Sequence, residues 1–193
     1  MLPYLRHLQD GMLMPFQMGH EHLPESGITR LLEHLKRNAT MIANIIASDL
    51  AAVFPEYTEA FGIDSKVSLG ILETYSIHEE IIKADTEDLF ALMDTGKGHY
   101  HMDDAVKFRT AAENSIGIPD PKKMYAYRIK MNASILKEEV DRIKDVEREI
   151  EERMSANNDV KNISDIHGIA MTSAAVMDAE IGSIGQFSSA VKL

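Results

Sequence analysis

The sequence predicts an all-α protein, a helical bundle with long, coiled-coil-like helices and a C-terminal helix-hairpin-helix. Two long segments repeat apolar residues at alternating spacings of four and three, which is the heptad pattern of packed helices. No segment alternates with period two, as a half-buried strand would. Only 6% of the residues are aromatic and tryptophan is absent, so the core rests on Leu, Ile, Met and Ala, which favour helices.

The composition is typical of a soluble globular protein. With 193 residues, 45% of them apolar, the chain can bury one core or two small ones. The absence of cysteine excludes disulfides, thiolate metal sites and cysteine nucleophiles. No apolar run approaches the length of a membrane span, so we expect a cytoplasmic protein that does not contact membranes. The net charge of −11 argues against a protein that coats DNA, although it is compatible with a local basic patch.

The first predicted region, residues 1–118, is built around one long helix. The chain starts with the end of a helix, which stops at Gly11. A long helix follows over residues 26–54, and Pro55 ends it because the residue before proline avoids the helical conformation. A cap of short helices completes the region, with helices predicted at 65–75, 77–84, 86–94 and 102–115.

The second predicted region, residues 119–157, is one long helix, for which Asp120 suits the N-cap and Pro121 the first helical position. The apolar a and d positions of this helix form a heptad seam, which allows two arrangements that the sequence leaves open. One is a parallel homodimer through the long helices, in which Glu139 pairs with Lys144; the other is packing on the 26–54 helix within one subunit. The apolar a and d positions are Ala126, Ile129, Ala133, Leu136, Val140, Ile143, Ile150 and Met154.

The third predicted region, residues 158–193, has the outline of a helix-hairpin-helix. A short helix, a turn at Gly168, a second helix of small residues and a stop at Gly182 follow one another. Such a turn exposes successive backbone N–H groups, which suit a phosphate. The alternative is a plain helical corner with a C-cap glycine. The candidate nucleic-acid-binding residues of the turn are His167, Gly168, Ile169, Ala170 and Thr172.

A basic segment at the start of the second long helix is a further candidate for nucleic-acid contacts. Four cations in the first turns of a helix oppose its dipole, which favours acids there, and so invite an anionic partner. The alternative is a solvated face with ordinary intrahelical pairs. The four residues are Lys122, Lys123, Arg128 and Lys130.

Two histidine pairs are candidate metal ligands. His99 and His101 precede Asp103 and Asp104, which together would suit a helical metal hydrolase, but the spacing fixes no complete ligand set. The pair His20 and His22 likewise has no third ligand. His78-Glu79 begins like a zinc-protease motif, but position 82 is Ile82. We therefore predict no metal site and no catalytic residue in this chain.

The C-terminal sequence over residues 163–175, 179–182 and 186–190 resembles the C-terminal domain of the DEDD-type insertion-sequence transposases. His167 stands where that family usually has proline, and Ala170 stands where it usually has a second glycine. The long helix ending at Phe54-Pro55 and the later arm resemble the linker of the family more loosely. The matching residues are Gly168, Ile169, Thr172, Ala174, Glu180, Ile181, Gly182, Phe187 and Ser189.

This resemblance implies a function. The family pairs a RuvC-like nuclease domain, which holds divalent metal on four acidic residues, with a helical arm and a second domain that carries a catalytic serine. Both centres would lie outside this chain, with residues 1–10 the end of the nuclease-domain helix, so no cofactor is expected here. The implied partners are DNA and a guide RNA.

Two functional hypotheses follow from the sequence. The first is a truncated transposase fragment that supplies dimerisation and nucleic-acid backbone contacts in DNA transposition without its own catalytic centre. The alternative is an all-helical structural or dimerisation protein with no nucleic-acid role, which the net charge of −11 favours.

Overall fold

The structure, a computed structural model, describes residues 23–94 and 100–181. Helices account for 77% of this part of the chain, which contains no strand, so the predicted all-α fold is confirmed. None of the helices in these two ranges is both long and apolar enough to cross a membrane. The helices are α1 Leu23–Val53, α2 Tyr57–Ala60, α3 Lys66–Thr74, α4 His78–Lys83, α5 Thr86–Met93, α6 Met102–Glu113, α7 Met124–Met154, α8 Asn158–Ser164 and α9 Met171–Ile181.

The chain divides into two compact units. Residues 33–145 form the larger unit. The smaller unit contains the described residues before 33 and after 145. The boundaries between the units therefore fall inside the two long helices, α1 and α7.

The core of the larger unit joins the end of α1 to the beginning of α7. One buried cluster contains residues from both long helices and from the short helices between them. The heptad seam predicted for α7 is thus buried within one chain over its first turns. The contributing residues of α1 are Ile42, Ile46, Leu50 and Val53, and those of α7 are Ala126, Ile129, Ala133 and Leu136.

An ion pair links α1 to α7 beside this cluster. The side chain of Asp49 is only 1% exposed, whereas that of Arg128 is 57% exposed. Arg128 Nε donates to Asp49 Oδ2 at 2.6 Å, and Arg128 Nη2 donates to Asp49 Oδ1. The hydrogen bonds and the charge of Asp49 raise the pKa of Arg128. This two-point contact fixes the register of one long helix against the other.

The start of α7 differs from the prediction. The helix begins at Met124, three residues after Pro121, and Lys123 before it has a positive φ of 52°. Asp120 is buried and still satisfies the helix start, because its carboxylate oxygens accept from Met124 N at 3.0 Å and Ala126 N at 2.9 Å. The prediction that Pro121 is the first helical residue was wrong because the carboxylate of Asp120 reaches across an intervening turn.

The segment before α7 lies directly against the end of α1. Ile118 N donates to Ala52 O at 2.9 Å. A Cβ atom on Gly117 would stand only 2.1 Å from the backbone oxygen of Val53, so this approach requires glycine. Glu56 holds the same segment by accepting hydrogen bonds from Ser115 Oγ at 2.6 Å and Ile116 N at 3.1 Å.

An aromatic cluster forms the centre of the cap between the long helices. Phe54, Tyr57, Phe61 and Phe108 pack with ring centroids 4.9 to 5.8 Å apart. The hydroxyl of Tyr57 bonds to the carbonyl oxygen and the hydroxyl of Ser68. Burial raises the pKa of Tyr57. Tyr57 is the first residue of α2 and Phe61 directly follows its last residue. This short helix was not among the predicted ones.

Several sequence predictions lie outside the described residues. These are the helix end at 1–10 with its stop at Gly11, the His20 and His22 pair, and the stop at Gly182. His99 and the matched residues Phe187 and Ser189 also lie outside them.

The ion pair of Asp49 yields a stability prediction. Arg128→Met leaves the Asp49 carboxylate buried without its cation, which costs far more than losing an exposed pair. We expect the urea midpoint, followed by circular dichroism, to fall by about 1 M. The control is Lys144→Met, which removes an exposed pair with Asp141 from the same helix. That variant should stay within about 0.2 M of the parent, and equal midpoints for the two variants would contradict the role of Asp49.

Candidate nucleic-acid interface

The predicted hairpin consists of α8, a turn over residues 165–170, and α9, all within the smaller unit. The side chain of Asn157 caps α8 by accepting from Asp159 N at 2.9 Å and Val160 N at 3.3 Å. Val160 of α8 is fully buried, as are Ala174 and Ala175 of α9. The two helices contact each other, and the small side chains of Ala174 and Ala175 let them approach closely.

Gly168 provides the unusual backbone conformation of the turn. Its φ is +91°, a value that L side chains rarely adopt, and it is the one glycine with positive φ among the described residues. Its surface is exposed, and no atom lies within 4 Å of the place where a Cβ would stand. The backbone angle alone therefore demands glycine here. This conformation is common to a phosphate-binding turn and to an ordinary C-cap, the two alternatives left open by the sequence.

The turn leaves several backbone donors without a described acceptor. Ile169 N bonds to Ile166 O at 3.0 Å, and Ala174 N bonds to Ala170 O at 2.9 Å. Within the described part of the chain, no hydrogen bond uses the N–H groups of Gly168, Ala170, Met171, Thr172 or Ser173. His167, Gly168 and Ala170 are exposed, while Ile169 and Thr172 are half-buried. The first turn of α9 thus presents the partial positive charge of a helix N-terminus.

Charged side chains around the hairpin oppose an anionic ligand. Residues 158–181 contain four carboxylates, on Asp159, Asp165, Asp178 and Glu180, and one lysine, Lys161. Glu180 lies 3.6 Å from Arg30, and both side chains are exposed. The backbone donors therefore act within a locally acidic surface, which weakens long-range attraction of phosphate.

One interaction that holds the hairpin together was not found from the sequence. Asp178 of α9 is buried, and its carboxylate accepts from Asn157 Nδ2 at 3.0 Å. Asn157 therefore caps α8 and contacts α9 at the same time. The available signal was spacing, because Asp178 falls three and four residues after Ala175 and Ala174, on the apolar face of α9.

The four cations of the basic segment do not form one free patch. Lys122 and Lys123 are exposed and precede α7, so the prediction that they lie in its first turns was wrong. Arg128 is bound to Asp49, and Lys130 Nζ lies 3.2 Å from Glu80 Oε2. Only Lys122 and Lys123 make no ion pair with the described residues. They belong to the larger unit, whereas the hairpin belongs to the smaller one.

The candidate metal ligands that lie within the described residues make structural contacts. His101 N donates to Asp104 Oδ2 at 2.9 Å at the start of α6, and Asp103 is exposed. His78 packs beside Phe54, and its Nδ1 lies 2.5 Å from Val53 O. The described residues contain no group of three side chains suited to hold a metal ion.

Comparisons with known proteins do not assign the chain to a family. No protein-family model matches the sequence, and a search of curated proteins finds no match.

The hydrogen bond between Asn157 and Asp178 leads to a prediction about amide hydrogen exchange in the hairpin. Asn157→Ala removes an N-cap worth about 1 kcal/mol and leaves the Asp178 carboxylate buried without its donor. Amide hydrogen exchange in residues 158–181, measured by mass spectrometry, should accelerate by at least about fivefold. Ser164→Ala is the control, because that hydroxyl bonds only an exposed carbonyl oxygen. Unchanged exchange in Asn157→Ala would show that the hairpin does not depend on this residue.

Proposed function

We propose that this chain binds the sugar-phosphate backbone of nucleic acid through the α8–α9 hairpin, as a helical part of a DEDD-type transposase. Its partners are DNA and a guide RNA, and it acts in the cytoplasm. It contributes binding and self-association to DNA transposition, while strand cleavage belongs to centres that the resemblance does not place on these residues.

The observation that carries the proposal is the turn at Gly168. Its φ is +91°, and the N–H groups of Gly168, Ala170, Met171, Thr172 and Ser173 have no acceptor among the described residues. Together they offer several donors at a helix N-terminus. Backbone donors need no basic side chain, so they can bind a phosphate within an acidic surface. They also read no base sequence, so binding through them is independent of sequence.

Lys122 and Lys123 supply the electrostatic part of this proposal. Both are exposed, and neither is neutralised by a described carboxylate. Each lysine that contacts a phosphate contributes about one unit to the dependence of binding on salt. Arg128 and Lys130 are excluded from this role because they are committed to Asp49 and Glu80. The basic contribution is therefore limited to two charges.

A gel-shift titration with duplex DNA and structured RNA at low salt tests the hairpin. Gly168→Ala forces a side chain onto a positive φ, which shifts the turn and should weaken binding about tenfold. Gly70→Ala is the matched control, because Gly70 lies inside α3 and a Cβ there meets no atom within 4 Å. Lys122→Gln combined with Lys123→Gln should lower the salt dependence by about two units. Absence of any shift by the parent protein would refute the proposal.

The second candidate function is an all-helical dimerisation protein without a nucleic-acid role. The acidic surroundings of the hairpin and the net charge of −11 favour it. So does a groove between α1 and α7 in the larger unit, where Met41 and Ile45 are exposed next to Arg128 and Asn132. Met131 and Ile135 of α7 are also exposed.

The proposed dimer differs from the predicted one, which used the heptad seam of α7. The first turns of the α7 seam are buried against α1, so they are not available to a second copy. Glu139 contacts Arg142 at 3.1 Å and Lys144 contacts Asp141 at 3.2 Å, both within the same helix. A homodimer through the long helices is therefore proposed to use their exposed apolar side chains.

Mass measurement by light scattering after size-exclusion chromatography tests the dimer. Met41→Glu combined with Ile45→Glu places charges in the groove, so we expect a dimer of the parent at about 50 µM to become a monomer. Ile116→Glu is the control, because Ile116 is 84% exposed outside the groove. A monomeric parent at this concentration would exclude self-association through this surface.

A further inference from the structure

A second concavity of about 460 Å³ lies in the larger unit, between α2 and α6. This volume falls in the range of small-molecule pockets. We call it the acidic aromatic pocket. Its floor consists of Phe61, Met93, Tyr100 and Phe108, and its rim carries Glu56, Glu59 and Asp104.

The floor of the acidic aromatic pocket is apolar and consists largely of aromatic rings that pack on one another. Phe61 and Phe108 are 4% exposed and meet edge to face with centroids 4.9 Å apart. Tyr100 packs on Phe61 at 5.8 Å and is only half-buried. Buried rings locked against one another present a preformed surface for an apolar body, so binding costs little ordering.

The rim of the pocket is anionic. Partial burial works to raise the pKa of Glu56, but the hydrogen bonds from Ser115 and Ile116 lower it below its usual value. The backbone N–H of His101 and the ammonium of Lys107 lower the pKa of Asp104. Among the lining residues that the structure describes, Lys107 is the one cation, and its Nζ lies 3.3 Å from Asp104 Oδ1.

Glu59 is the carboxylate that is open to a ligand. It lies in α2 on an exposed face and makes no ion pair with a described residue. Glu56, in contrast, already accepts hydrogen bonds from Ser115 and Ile116, and Asp104 already accepts one from the backbone N–H of His101. A ligand that enters the pocket therefore contacts the aromatic rings of the floor and, at the rim, the Glu59 carboxylate, which has no described ion-pair partner.

We propose that the acidic aromatic pocket binds a small organic cation, an ammonium group carried on an apolar or aromatic body. The body packs on Phe61, Tyr100 and Phe108, while the ammonium group lies against the Glu59 carboxylate and the ring faces. An anionic ligand of the same shape is repelled by the rim. This site is separate in function from the proposed phosphate-binding hairpin and does not depend on it.

Calorimetric titration of the full chain with three ligands of one shape tests the charge requirement. The probes are 2-phenylethylammonium, the neutral 2-phenylethanol and the anionic 3-phenylpropanoate. We expect millimolar or tighter binding of the cation, at least about fivefold weaker binding of the alcohol and no binding of the anion. Equal binding of cation and alcohol, or no binding of the cation at all, would overturn the proposal.

Variants locate the site. Glu59→Gln should weaken binding of the cation about fivefold without weakening that of the alcohol. Glu87→Gln is the matched control, since Glu87 is an exposed acid in the first turn of α5. Ala111→Trp on α6 fills the pocket and should abolish binding of both ligands, with circular dichroism confirming the fold. Binding that survives in Ala111→Trp overturns the assignment, and Gly168→Ala should leave it unchanged.

Discussion

The pairing of Asp49 with Arg128 is the constraint on which the larger unit depends. A buried carboxylate near the end of α1 holds a guanidinium near the start of α7, by two hydrogen bonds in a fixed relative orientation. With that register set, the apolar residues of both helices fall into one cluster with the short helices of the cap. Because the carboxylate is almost wholly buried, other registers of the two helices would leave it without a partner, and this penalty selects one arrangement. The same pairing removes Arg128 from any role in binding anions.

The long helices and most of the short ones were predictable from local patterns. Pro55 ended the first long helix near the residue where α1 ends, and the heptad spacing marked the residues that α7 buries. The start of α7 was not predictable in detail, because a positive φ at Lys123 and the reach of the Asp120 side chain are decided by contacts that sequence spacing does not show. The four-residue α2 was missed because it is too short to display a period. Its position depends on aromatic packing with Phe108, which lies about fifty residues later in the chain.

The candidate site was predictable in its backbone but not in its charges. Gly168 has the positive φ expected of such a turn, since glycine alone tolerates it without cost. Two of the four cations of the predicted basic segment are paired with carboxylates instead. Arg128 binds Asp49, 79 residues away in sequence, and Lys130 binds Glu80, 50 residues away. Partners so remote leave no local signal. The backbone dipoles at the start of α9 therefore favour a nucleic-acid role, whereas the surplus of carboxylates around the hairpin favours a purely structural one.

The close approach of Gly117 to Val53 has a consequence for how this architecture could arise and change. All the short helices of the cap lie between two points of the chain that touch, with Ile118 N bonded to Ala52 O at 2.9 Å. A segment whose two ends meet can be lengthened, shortened or exchanged without moving the arms from which it departs. The cap of the larger unit thus has the geometry of an insertion at the junction of two long helices. In related chains, we expect differences in length and sequence to concentrate in the cap between Ala52 and Ile118. We expect Gly117, where the two ends of this segment meet, to stay invariant.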